Sequence, residues 1–381
     1  MQIITGLFQR SFKANSVTLI FSLSGEQIGY KKRYQPIIKS LSSQELNRCV
    51  KKSDLVLIEH TDKNIFKSKI ENYYIVKYIP IVLFNNFIPR KKKINLSIQL
   101  MRNWIKCFSL KVDYLRIRKE FETIVYKELR NQMKYTLVTT QSAYKSLPIA
   151  FDCLTSSSTY MIWYSINHFP ITKKNSTIHP ESYESIRSVK NHLVWNSTQS
   201  NWLLQNFKVK STIVGPIILP SGIEKENDSV AKNRIIYFDV TAPKNFTNDQ
   251  FYNTNQSIRT LLDLINCQES ILTTKRSVIN LKPKRDYKKA HSQVYIKFLK
   301  SLDNLDLINL IDFETSLEEL VPHAKLVLGV PWTSPVVYAK QIHKEAYYYV
   351  HDPKKEWELS NSFSDVRLVT LKEIREILKM L

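Results

Sequence analysis

Cysteine and glycine are both scarce in this chain, and each shortage removes a class of protein. Four cysteines occur in 381 residues (Cys49, Cys107, Cys153 and Cys267), far apart and without a CxxC or a paired histidine. That spacing argues for reduced thiols and against a disulfide framework or a structural zinc; no metal and no cofactor is expected. Of the six glycines, none builds GxGxxG or GxxxxGK[ST], so neither a dinucleotide fingerprint nor a P-loop is expected. No run approaches the ~18 consecutive apolar residues that a membrane span requires. The opening segment MQIITGLFQRSFKANSV has neither a sustained apolar core nor a small-residue cleavage site. The expectation is therefore no secretory signal and a cytoplasmic address. Acidic residues are also short: 34 Asp+Glu stand against 56 Lys+Arg, a formal net charge of +22.

What is present is the composition of a soluble globular protein, 43% hydrophobic and 24% charged. The length suffices for two ordinary domains, each with its own core. The charge is divided unevenly between them. Residues 1–232 hold 35 Lys+Arg and 16 Asp+Glu, a net of +19, whereas residues 233–381 hold 21 and 18, a net of +3. A basic half joined to a near-neutral half suggests that one domain faces a polyanion, a membrane surface or an anionic acceptor.

The first half mixes apolar runs that read as strands (Val17–Leu23, Asp54–Ile58, Ile81–Phe84) with long basic helical stretches. From Tyr135 an α/β rhythm sets in. Tyr135–Thr140, Tyr160–Tyr164, His192–Trp195 and Ser211–Val214 read as buried strands, with a helix at Gln199–Asn206. Gly215-Pro216 and the polar run that follows mark the boundary, giving domains over 1–216 and 234–381 with a linker at 217–233. In the second half, strands at Arg234–Val240, Ser277–Leu281, Lys325–Val330, Glu345–Val350 and Val366–Val369 alternate with helices at Ser257–Cys267, His291–Leu302, Ser316–Ala324, Val336–Ile342 and Leu371–Leu381. Such alternation predicts a parallel, doubly wound sheet whose ligand loops lie at the carboxyl ends of the strands.

Those loops hold the groups that could carry chemistry. Lys282, Lys284 and Arg285 follow one strand and could neutralise a phosphate, Arg285 by gripping two oxygens; a solvated basic loop is the equally ordinary reading. Thr333 and Ser334 follow another strand. Ser334 is placed as a helix N-cap with Pro335 at the first helical position, so that free amides and the positive helix end could receive an anion. Asp239, Asp312, Glu314 and Asp352 sit at the same predicted edge, and Glu314 and Asp352 are the candidates for a ribose or base, N-capping being the commoner task of such carboxylates. In the first half, His168 ends an apolar strand and Asp152 precedes it. Either could act as a general base; a hydrogen-bonded structural histidine is the competing reading.

Between Arg90 and Lys119 there are ten Lys/Arg and one acidic residue, Asp113. Ile94, Ile98, Met101, Ile105 and Phe108 fall on one helical stripe beside Trp104. Such a helix could lie on an anionic inner-membrane surface, or it could pack on the domain core.

The order of motifs resembles the polysaccharide-biosynthesis PFTS-motif proteins. The motif stands as Pro331-Trp332-Thr333-Ser334, with Trp in place of Phe, and is supported by Phe238-Asp239-Val240, Lys282-Pro283-Lys284-Arg285, Tyr164-Ser165-x-Asn167 and Tyr349-x-x-Asp352-Pro353. The resemblance spans roughly residues 135–355. It implies two Rossmann-like domains facing across a cleft (the GT-B architecture), a nucleotide-sugar donor on the C-terminal domain and a glycan or lipid-linked acceptor on the N-terminal one. The implied function is a glycosyltransferase of cell-surface polysaccharide biosynthesis, such as lipopolysaccharide or capsule. No DxD motif lies in a convincing loop, and a cationic clamp can replace a divalent ion. A transferase moving a polyol phosphate from a CDP-linked donor is the enzyme alternative. A basic nucleic-acid-binding protein is the alternative of another class, disfavoured because the aromatics lie inside strands and no recognition motif appears.

Overall fold

A computed structural model describes residues 14–21, 55–59, 69–70, 73–76, 78–109, 114–130, 132–140, 147–154, 158–163, 184–215, 234–240, 254–269, 279–313, 315, 317–330, 333–349 and 366–380. The described residues up to Gly215 form one compact unit and those from Arg234 a second. The proposed linker, 217–233, lies outside the described residues.

Among the described residues, fourteen strands are shared between two sheets. The first holds β1 (Ser16–Phe21), β2 (Leu55–Glu59), β3 (Lys69–Ile70), β4 (Tyr73–Val76), β5 (Lys134–Thr140), β6 (Ser158–Ile162), β7 (Asn191–Val194) and β8 (Lys210–Ile213). Its order is β3-β4-β2-β1-β5-β6-β7-β8, and every described pair is parallel except β3 with β4. The second holds β9 (Arg234–Phe238), β10 (Ile279–Lys282), β11 (Ile308–Leu310), β12 (Ala324–Gly329), β13 (Glu345–Tyr349) and β14 (Leu368–Val369). It is wholly parallel in the order β11-β10-β9-β12-β13-β14. Counted from its own first strand this reads 3-2-1-4-5-6, the Rossmann order. The fold class is therefore α/β, with one wholly parallel sheet and one parallel but for β3.

The helices of the first unit are α1 (Ile79–Phe87), α2 (Arg90–Ser109), α3 (Tyr114–Leu129), α4 (Ala150–Cys153), α5 (Glu184–Ser188) and α6 (Ser197–Phe207). The second unit has α7 (Thr254–Glu269), α8 (Tyr287–Ala290), α9 (Gln293–Asn304), α10 (Leu317–Leu320), α11 (Ser334–Gln341) and α12 (Leu371–Met380). Some elements depart from the sequence reading. Ser211–Val214, expected as a buried strand, is the last strand in the sheet order, β8, and is largely exposed. The run Ile81–Phe84, expected as a strand, belongs to helix α1. A short apolar run fits a buried helix as well as a strand. Pro80, in the first turn, and the Glu59 carboxylate, which accepts from the Ile79 amide at 3.2 Å, decide for the helix. Further along, the helix expected over Ser316–Ala324 is split at Pro322 into α10 and a 3-10 turn, Val321–His323. Its proposed capping pair, Ser316 and Glu319, lies outside the residues whose side chains are described.

Parallel sheets are generally buried beneath helices. In the second unit Tyr237, Leu281, Leu326 and Leu328 of the strands meet Leu261, Leu264 and Ile265 of α7 and Tyr295 and Leu299 of α9. Each such apolar side chain contributes roughly 1.5–3 kcal/mol on burial. In the first unit, His192 on β7 is fully buried and structural. Its Nδ1 accepts from Trp163 Nε1 at 3.1 Å, so Nε2 carries the proton and faces the carbonyls of Ile186 (3.0 Å) and Val189 (3.2 Å). Burial lowers its pKa to about 4.

Three strand ends are level. Phe238 of β9 pairs with Lys282 of β10 on one side and with Gly329 of β12 on the other. Gly329 is where β12 turns towards α11, and a Cβ there would stand 2.6 Å from Val336 Cγ2 and 2.7 Å from Thr333 Oγ1. Val336 and Thr333 are themselves buried and have no room to retreat. A Gly329→Ala substitution is therefore expected to destabilise the protein by about 1–3 kcal/mol through overpacking. Urea unfolding would measure this, and an unchanged midpoint would show that the strand end has slack.

Candidate functional site

In a sheet of this order, the chain leaves the first strand to one side and the fourth strand to the other, opening a crevice at their carboxyl ends. Here those strands are β9 and β12, so the crevice is bounded by the residues after Phe238 and after Gly329. The loop after β10 lies alongside. The Asp239 amide extends the β9–β10 pairing by donating to the Lys282 carbonyl at 3.1 Å. Parallel register thus brings residues from three distant segments to one edge.

Asp239 is the first residue of that edge and is almost fully buried. Its Oδ1 accepts from the Val240 amide at 2.7 Å and its Oδ2 from the Tyr295 hydroxyl at 2.7 Å. Burial pushes the carboxyl up to about 7, against the opposing pull of those two hydrogen bonds. Tyr295, on α9, also stacks on His291, with ring centroids 5.1 Å apart and planes 22° from parallel. Burial, and then the charge of Arg285, bring the pKa of His291 down to about 4. Asp239, Tyr295, His291 and Arg285 thus form a chain of neighbours from β9 to the loop after β10. Sequence reading placed Asp239 at this edge but had no signal for Tyr295 or His291, because nothing local links positions 239 and 295.

The basic loop divides into an anchoring part and an open part. Lys282 is buried, and its Nζ donates to the carbonyls of Phe313 (2.5 Å) and Pro283 (3.3 Å), which ties the end of β10 to the segment after β11. Lys284 and Arg285 keep exposed side chains. Lys284 nevertheless stands in a crowded place, and desolvation first, then Arg285, lower its pKa. Of the three lysine and arginine side chains proposed for a phosphate, the structure leaves these two open to a ligand.

Thr333, rather than Ser334, takes the cap position of α11, with Ser334 first in the helix and Pro335 second. The boundary shifts by one because proline's fixed φ suits either early position. The Thr333 hydroxyl does not cap the helix. It donates to the Val330 carbonyl at 2.7 Å and holds the turn, while the Thr333 carbonyl accepts from Tyr348 at 3.3 Å. The helix start therefore offers backbone amides and its dipole rather than the threonine hydroxyl.

Glu314, Asp352 and His168 fall outside the described residues, as do Pro331 and Trp332. Asp152 lies on α4 in the first unit, exposed, beside Phe151, whose ring packs edge-on against Phe21 at the carboxyl end of β1 with centroids 6.2 Å apart. Among the described residues no group of His, Cys, Asp and Glu could hold a metal ion.

A family model described as polysaccharide biosynthesis PFTS motif protein matches residues 112–381. The chain belongs to this family. The match covers more than two thirds of the sequence and extends beyond the 135–355 span of the motifs. It includes the whole described second sheet, and the PFTS motif falls in the chain between β12 and α11, with Thr333 and Ser334 at the head of that helix. Comparison with curated proteins finds no match. Among solved structures, the chain is similar to α,α-trehalose 6-phosphate synthase from Burkholderia multivorans, at 7% identity and a TM-score of 0.47, covering 97% of this chain and 88% of that one. It is also similar to UDP-GlcNAc 2-epimerase from Methanocaldococcus jannaschii, at 12% identity and a TM-score of 0.47, covering 96% and 91%.

The raised pKa of Asp239 has a consequence for stability. A carboxyl raised in the folded state contributes stability below its unfolded value of about 3.9 and loses it as pH rises through about 7. His192 and His291, lowered to about 4, act oppositely: their contribution is full above about 6.5 and falls as the pH drops. Comparing Asp239→Asn with wild type isolates the carboxylate. The variant should gain on wild type as pH is raised from 4 to 7 in urea unfolding, and a difference independent of pH would show that Asp239 does not titrate there.

Proposed function

We propose that this PFTS-motif protein is a glycosyltransferase of polysaccharide biosynthesis that holds a nucleotide-activated sugar at the switch point of its second sheet. The observation that carries the reading is the alignment of three strand ends at that point, from which the head of α11 at Thr333, Asp239 and the Lys284–Arg285 pair follow in the chain. The charge of a nucleoside diphosphate matches what is offered there: two exposed cations and the N-terminus of α11. As the bond from sugar to phosphate breaks, negative charge grows on the leaving diphosphate. Arg285, Lys284 and the α11 amides, held in place before reaction, would stabilise that charge without reorganising, and no metal ion is needed for this role. Asp239, neutral below its raised pKa, adds no repulsion to an arriving anion over that range.

The acceptor is a glycan or a lipid-linked acceptor whose hydroxyl must lose a proton as the new bond forms. His168 is the proposed base, with Asp152 second. Replacing the true base should lower turnover about 10²–10⁴-fold while donor affinity stays nearly intact. Full activity in both the His168→Ala and Asp152→Ala enzymes would move the role elsewhere.

The donor site is tested first by a thermal-shift screen of UDP, CDP, GDP and ADP, which identifies the base, and then by isothermal titration. Arg285→Ala should weaken the nucleotide that binds by about 1.5–3 kcal/mol, the scale of a charge-assisted hydrogen bond. Unchanged affinity would overturn this placement. A preference for CDP would direct the next assay to polyol-phosphate transfer.

A further inference from the structure

Helix α2 carries six Lys/Arg and no acidic residue over its twenty positions. Along it Ile94, Ile98 and Met101 are 57%, 43% and 57% exposed. Their i, i+4, i+7 spacing lays them in one stripe. Single exposed apolar residues are ordinary on any surface, but three in a row between cations are not.

The partners of two lysines show which side of the helix is docked. Lys92 pairs with Glu128 on α3, and Lys93 donates to the Asn85 carbonyl of α1 at 2.5 Å. With 3.6 residues per turn, both point roughly 100–160° away from the Ile94 direction. Ile94, Ile98 and Met101 are thus turned away from the body of their unit and do not pack on its core; Trp104, Ile105 and Phe108, further along the stripe, lie outside the residues whose side chains are described. Lys91 and Arg102, both exposed, lie within about 80° of Ile94 on the outer face.

We propose that this face of α2 is a docking surface for an anionic lipid bilayer, with Ile94, Ile98 and Met101 entering the interface and Lys91 and Arg102 meeting the headgroups. The charge complementarity is specific to that occupant. A nucleic acid would meet the cations but give the aliphatic stripe nothing to bury against. A second copy of the chain would set cations against cations with no acidic residue on the helix to balance them. A bilayer supplies both an apolar layer and negative charge, and cationic stems reach its surface while their apolar parts stay in contact. No described helix is long and apolar enough to cross a membrane. Contact is therefore along the helix and not through it. This inference stands apart from the donor-site reading.

The full chain is sedimented with vesicles of phosphatidylcholine alone and of phosphatidylcholine with phosphatidylglycerol, at low and high salt. Binding is expected to the anionic vesicles, to weaken with salt, and to fall at least about tenfold in an Ile94→Ser, Ile98→Ser, Met101→Ser triple variant. A Lys91→Gln, Arg102→Gln variant should lose roughly fivefold per charge, and only on anionic vesicles. Leu204→Ser, which removes an exposed apolar side chain on α6, should change nothing. Far-ultraviolet dichroism shows whether each variant is folded, and the charge variant decides the matter if the triple one is not. Equal binding to both vesicle types, no binding at all, or an unaltered charge variant would overturn the proposal. So would a dimer in sedimentation equilibrium that the triple variant abolishes.

Discussion

The missing side chain at Gly329 is the constraint on which the candidate site depends. Val336 and Thr333 occupy the space that a Cβ would need, so the end of β12, the turn and the first coil of α11 can close on one another. That closure brings Thr333 and the head of α11 up against the end of β12, whose Gly329 pairs with Phe238 of β9. Without it, the strand would have to end earlier or the helix start later, and the amides at the head of α11 would no longer sit level with Asp239 and the basic loop. A single hydrogen atom in place of a methyl group thus decides the shape of the edge.

Around that edge, burial sorts ionisable groups into two kinds. Lys282 is buried, and its ammonium is held by the carbonyls of Phe313 and Pro283. A buried cation with poor partners would be costly, whereas one with carbonyl partners cross-links two loops. Asp239 meets the same demand by holding its proton more tightly and by accepting from Tyr295 and Val240. Lys284 and Arg285, further along the loop, retain their exposure. The loop after β10 is thereby fastened at its root and open at its tip.

Much of this was legible in the sequence. Five of the six described strands of the second unit announce themselves because parallel strands, buried on both faces, are largely apolar runs. The basic loop and the PFTS turn could then be assigned to the carboxyl edge by chain direction alone. Very short elements escaped: β3, β4 and β11 have two, four and three residues, too few for any period to show. Ile81–Phe84 was misread because four apolar residues satisfy both a strand and a helix. The Asp239–Tyr295–His291 chain was invisible for a different reason. It joins residues 56 apart through tertiary packing, and the sequence holds no trace of a hydroxyl meeting a carboxylate at that distance. Nor could the outward turn of α2 be read from its period, since amphipathicity defines a stripe without saying what the stripe faces.

The pairing of Phe238 with Gly329 spans ninety-one positions of chain. Between them the polypeptide completes β10 and β11, so the two walls of the crevice meet only after that whole excursion has folded. Contacts of such long range form at the expense of a large loop-closure entropy and belong to the slow part of assembly. A nascent or truncated second unit would have its basic loop but no opposite wall. The edge proposed for the donor is consequently a property of the finished sheet, complete only once the last of these strands has docked.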